Sequence, residues 1–192
     1  MISMILMSIE DEKQRSDVEQ IWNLYGKIML AKAYGILGNM QDAEDAVQEA
    51  FLRISKNAED FSEPKSPGTI ALVSIYTRNV SINMYRRNKK RNELFGSDGD
   101  VDNVIDAAAE SEDIAQLIVN DETVEIVRRA INMLDEPYKD VILLKYYYHK
   151  KNIEIAEVLG VDANTVNGRV FRAKKKLKEL IGEEGYARLS NK

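Results

Sequence analysis

From Val18 onward, apolar residues return at steps of three and four, with Ile21, Leu24, Tyr25, Ile28 and Met29 in register. That period is helical and predicts a helix. The pattern breaks at "GN" (38–39) and restarts. Ala43, Ala46, Val47, Ala50, Phe51 and Ile54 then share one apolar face, and Asp42 is expected to cap the new helix. "SEPKSPG" (62–68) holds two of the three prolines and reads as a loop. A third helix is expected over residues 69–90.

The period is lost from Gly96 to Glu112, a stretch rich in Gly, Asp, Ala and Ser that reads as a linker. Helix resumes near Asn120. In "LDEPYKDVILLKYYYHK" (134–150), Pro137 suits the first turn of a helix. "NIEIAEVLG" (152–160) is a short helix stopped by Gly160, and "VDANTV" opens another with Asp162 as its N-cap. No strand-like alternation of useful length is present. The expected class is all-α. Two small helical domains, 14–92 and 121–184, are joined by an acidic flexible linker over 93–120.

The last two helices have the layout of a helix-turn-helix. Ile155, Leu159, Val161, Val166 and Val170 form their expected joint core, with Ala156 small at the crossing. In "TVNGRVFRAKKKL" (165–177), Val166, Val170, Ala173 and Leu177 fall on one side, and Gly168, Phe171, Arg172 and Lys175 on another. The second face suits DNA. Arg172 can donate two bonds to guanine and Phe171 can pack on a thymine methyl. Lys174, Lys175, Lys176 and Lys178 either meet phosphates or solvate the helix end, where cations also complement the dipole. Gly168 costs about 1 kcal/mol relative to Ala in a helix interior. Either DNA approaches the bare backbone there, or the helix is simply weak.

Composition narrows the chemistry. The 192 residues contain no cysteine and one histidine, His149. Disulfides, thiolate metal sites and cysteine nucleophiles are excluded, and no Gly-rich phosphate loop is present. An enzyme is not expected, nor a metal or cofactor. The start, "MISMILMSIEDEK", lacks the basic residues and the apolar length of a signal peptide, and no run approaches the ~18 apolar residues of a membrane span. A cytoplasmic protein is expected, without membrane insertion of this chain, its terminus packed or frayed.

The net charge of −5 hides a segregated pattern. "RRNKKR" (86–91) carries five cations in six residues. From Glu93 to Glu125 there are eleven acidic residues and no basic one. From Lys139 to Lys178 there are ten basic and four acidic residues. Two basic regions thus flank an acidic one, which either weakens DNA binding by the free chain or serves only as a spacer.

The second domain's "LDEPYKDV", "IAEVLGV" and "TVNGRVFRAKKKL" resemble region 4 of bacterial sigma factors of the extracytoplasmic-function group of the sigma-70 family. The first domain's "LGNMQDAEDAVQEAFLRI" and "TRNVSINMYRRNKKR" resemble region 2 of the same family. The two blocks stand in family order and cover most of residues 18–181. The resemblance implies a dissociable promoter-specificity subunit of RNA polymerase. It places Asp45, Gln48 and Glu49 on a coiled coil of the core polymerase clamp. It gives Ser62, Lys65, Asn79, Arg86, Arg87 and Lys90 to the minus-ten element of promoter DNA. Thr165, Asn167, Gly168, Arg169, Phe171, Arg172 and Lys175 go to the minus-35 element. It also implies an anti-sigma factor as a partner.

Those assignments suit the residue types. Asn79 offers both a donor and an acceptor to a base, and a run of cations can track a single strand. Departures from the family pattern are Leu72, where many members have a Trp that helps melting by stacking, with Tyr76 and Tyr85 nearby; Asn83, where Asp is usual; and Asn167 and Gly168, where many have a basic residue and Ser. The competing class is an autonomous helix-turn-helix regulator. That class needs a dimerisation surface for two half-sites, and it leaves the Asp45–Glu49 helix and the 86–91 cations without a role.

Overall fold

The computed structural model describes residues 2–94 and 122–190, with side chains over 2–93 and 126–182. From residue 95 on, the stretch read as an acidic linker lies outside the described residues. The chain divides into two compact units, Met1–Glu112 and Asp113–Lys192. Among the described residues all regular structure is helical.

The first unit is built on three long helices, α2 (Glu12–Leu37), α3 (Met40–Lys56) and α4 (Pro67–Leu94), preceded by a short α1 (Ile2–Met7). The apolar face read for α3 is buried in full, from Ala43 to Ile54. Its three alanines and Ala33 of α2 are fully buried. Tyr76, Phe61, Leu72 and Val80 complete the core from the α4 side. The apolar terminus packs: Ile5 and Ile9 are buried with Val18, Phe51 and Ala58, and Trp22 meets Phe51 edge-on at 5.1 Å.

Three expectations change in this unit. The cap of α3 is Asn39, whose side-chain oxygen accepts the Asp42 N–H at 2.8 Å. Asp42 instead sits in the first turn and accepts from the Asn39 amide. The loop is shorter than 62–68, because Pro67 begins α4 and Ser66 accepts the Thr69 N–H. Proline is at ease there, since the first helical position lacks an N–H partner anyway. The helix also runs on to Leu94 rather than ending at Lys90. Tyr76 is 1% exposed and cannot stack on a base in place of the family's Trp.

The second unit contains α5 (Glu122–Asn132), α6 (Glu136–Ile142), α7 (Asn152–Leu159) and α8 (Ala163–Ser190). A π turn over Leu143–Tyr147 extends α6. Gly160 ends α7 in the left-handed conformation (φ 63°), and the Val161 N–H closes the turn on the Ala156 carbonyl at 3.0 Å. Leu144, Ile155, Leu159, Val166 and Ala173 form the core. Val161 and Val170, expected in it, are half-buried. The helical geometry of α8 is broken at Gly182 (φ 70°, ψ 171°).

Candidate functional site

The α8 helix starts cleanly because Asp162 caps it. The Thr165 N–H donates to one carboxylate oxygen at 2.8 Å and the Thr165 hydroxyl to the other at 2.6 Å. These bonds, the hydroxyl's first, hold the Asp162 carboxyl below its usual pKa. Thr165, expected on DNA, is thus already employed in the cap. A lowered folded pKa means stability that is present above the ordinary value of 3.8 and lost as pH falls through the folded value. Asp162→Asn keeps a capping oxygen but does not titrate. Thermal melting should therefore show the parent losing its advantage over this variant as the pH drops below 3.8.

The outer face of α8 carries the expected residues. Phe171 is 72% exposed, and Asn167, Arg172 and Lys175 are exposed with it. Arg169 is half-buried. A Cβ built at Gly168 would lie 3.5 Å from the Arg172 guanidinium and meet nothing closer. The bare backbone therefore gives that side chain a resting place without being sterically required. Gly168→Ala is expected to raise stability by about 1 kcal/mol in a denaturant titration. A loss of DNA affinity in the same variant would mark a close backbone approach.

The lysines separate. Lys176 bonds Asp135 at 2.5 Å and lies over the Tyr138 ring at 4.8 Å, which ties α8 to the start of α6. Each partner shifts the other, Asp135 downward and Lys176 upward, through this bond and its charge. Lys174 lies over the Tyr146 ring at 5.3 Å. Lys175 and Lys178 are exposed. One polar chain was not legible in the sequence. Lys145 donates to the Asn152 side-chain oxygen at 2.7 Å, and the Asn152 amide donates to the Asn167 side-chain oxygen.

In the first unit, Asp45 is exposed, while Gln48 and Glu49 are half-buried on either side of it. Gln48 lines a groove of about 550 Å³ with Ile2, Trp22, Gly26 and Val47. Glu49 faces the other way. It bonds Arg53 at 2.6 Å and Arg87 of α4 at 3.3 Å. Glu49 and Arg87, expected on two different partners, are therefore joined to each other. Asn88 adds a bond to Asp42 at 2.8 Å, so α3 and the basic end of α4 lie side by side.

The residues expected on the minus-ten element are spread along the loop and α4. Ser62 and Lys65 are exposed on a loop that is firmly held. The Tyr25 hydroxyl donates to the Pro64 carbonyl at 2.8 Å, and the Thr69 hydroxyl to the Glu63 carbonyl at 2.7 Å. Asn79 is half-buried and its amide donates back to the Ile75 carbonyl at 2.9 Å. Arg86 and Lys90 are exposed. Among the described residues no group of acidic or histidine side chains could hold a metal ion, and no helix is long and apolar enough to cross a membrane.

Comparison with known proteins finds similarity in both units. A family model described as Sigma-70 region 2 matches residues 21–91, and one described as Sigma-70, region 4 matches residues 124–177. The chain is 29% identical over 167 residues to the ECF RNA polymerase sigma factor SigW of Bacillus subtilis, covering 84% of this chain and 87% of that one. It is 28% identical over 153 residues to the RNA polymerase sigma factor CnrH of Cupriavidus metallidurans, covering 79% and 78%. With the ECF RNA polymerase sigma factor SigE of Mycolicibacterium smegmatis it shares 25% identity over 174 residues, which is 90% of this chain and 62% of that longer protein.

Proposed function

The chain belongs to the sigma-70 family, as an alternative sigma factor of its extracytoplasmic-function group, and from that premise we propose how its surfaces divide the work of transcription initiation. The first domain, 14–92, engages the core polymerase clamp through Asp45 and Gln48 on α3. Glu49 holds the adjoining basic end of α4 in place. The loop carrying Ser62 and Lys65, with Asn79, Arg86, Arg87 and Lys90, follows the minus-ten element. The second domain, 121–184, lays α8 in the major groove at the minus-35 element. There Arg172, Phe171 and Asn167 meet bases, and Lys175 meets phosphate. Arg169, Gly168 and Thr165 support that helix face. An anti-sigma factor is the partner that would hold the free protein inactive. The protein works in the cytoplasm, where polymerase and promoters are, and no catalytic step is assigned to it.

The observation that carries the reading is the capped α8. Its outer face combines an exposed aromatic ring, a guanidinium and the exposed Lys175, while its inner face supplies Val166 and Ala173 to the core. Co-purification with core polymerase tests it against an autonomous regulator. A sigma factor is retained on core in the absence of DNA; an autonomous regulator is not.

A further inference from the structure

Lys145, Asn152 and Asn167 form a relay that runs in one direction only. An ammonium has donors and no acceptor, so Asn152 must turn its oxygen toward Lys145 and its NH2 away. Asn167 must then meet that NH2 with its own oxygen. A side-chain amide is otherwise free to exchange its two ends; here the lysine two residues away in the chain of bonds decides for both. Asn167 is exposed on α8, four residues before Phe171, and with its oxygen engaged by Asn152 its NH2 is the end left to meet a ligand.

We propose that Lys145 and Asn152 are positioning residues that make Asn167 a pure hydrogen-bond donor toward DNA. This rests on α8 being the recognition helix. An unconstrained Asn offers adenine both an acceptor and a donor, the usual two-bond pairing. The relay commits that oxygen to Asn152 and leaves the NH2 as the group presented to a base. The base that fits is guanine, whose major-groove edge presents only the acceptors N7 and O6. Thymine, with its O4 acceptor, fits second. Cytosine presents an amino donor to another donor and is rejected. The specificity of one minus-35 position is thus set by residues on α7 and the π turn that do not touch DNA.

The test is a selection from promoters randomised across the minus-35 element, bound by polymerase reconstituted with the full-length chain and then sequenced. With the parent, one position on the contacted strand is expected to favour guanine over cytosine about tenfold. In Asn152→Asp, the carboxylate accepts from Lys145 and also from Asn167. Asn167 then turns its oxygen outward, and the ratio at that position inverts toward cytosine and adenine. A carboxylate at the first residue of α7 suits the helix N-terminus, so the fold should survive. In Lys145→Gln, an amide that can donate or accept replaces the pure donor, and the ratio should fall toward one. Each ratio is taken within one library, so a general loss of affinity from the added charge cancels. A role limited to holding α7 against α8 would lower binding or melting temperature and leave the ratio alone. An unchanged ratio in Asn152→Asp, while Arg172→Ala still relaxes its own position, overturns the relay and spares the recognition helix. If Arg172→Ala also leaves every position unchanged, the recognition-helix reading falls and the relay with it.

Discussion

Asp45→Lys is expected to weaken binding to core polymerase by about 30-fold or more and to abolish transcription while the protein stays folded. Asp45 is exposed on α3, between Gln48 and Glu49. An exposed side chain of this kind usually changes stability by less than about 0.5 kcal/mol when replaced. At an interface the same carboxylate is worth more. Loss of one member of a buried, hydrogen-bonded charge pair costs about 2–5 kcal/mol, and about 1.4 kcal/mol is a factor of ten. Reversing the sign adds repulsion. Glu49 makes a poorer target, because it also bonds Arg53 and Arg87. Its replacement would leave those two guanidinium groups without their shared carboxylate and confuse a folding defect with a docking defect. Core-polymerase titration beside circular dichroism distinguishes them.

Arg172→Ala and Lys175→Ala should behave differently from each other. Both side chains are exposed on α8, but a guanidinium that pairs with guanine carries sequence information and a lysine on phosphate does not. Arg172→Ala should cost about 1–3 kcal/mol at the cognate minus-35 element and relax base preference at one position. Lys175→Ala should weaken all promoters alike and lower the salt slope of binding by about one. The Arg172 guanidinium lies near the space that a side chain at position 168 would enter. Promoter choice unaltered by Arg172→Ala would place the reading face elsewhere on the helix.

Much of this architecture is legible in the sequence because the helices bury simple apolar stripes. The α3 face and the Ile155–Leu159–Val166 core follow from three- and four-residue spacing alone. Caps were harder. Asn39 and Asp42 are both good capping residues, and only the structure shows Asn39 as the acceptor at the helix start. The interior of α4 obscures its own period. Thr77 and Ser81 are buried there because their hydroxyls donate back to carbonyls four residues earlier. Polar residues that satisfy themselves in this way look like surface in a hydrophobicity pattern. The least legible features are long-range polar bonds. Glu49 and Arg87 are 38 residues apart and Asn152 and Asn167 are 15 apart. No local period links such pairs, so motifs suggest candidate site residues but not the partners that orient them.

On the proposed function one chain delivers α3 to polymerase and α8 to promoter DNA. Run-off transcription tests it most directly, with core polymerase supplemented by the parent chain, Asp45→Lys or Arg172→Ala on one set of genomic fragments. The parent is expected to give discrete transcripts, Asp45→Lys none from any fragment, and Arg172→Ala a changed selection of fragments. Absence of transcripts with the parent, or an Asp45→Lys protein that transcribes like it, would contradict the account.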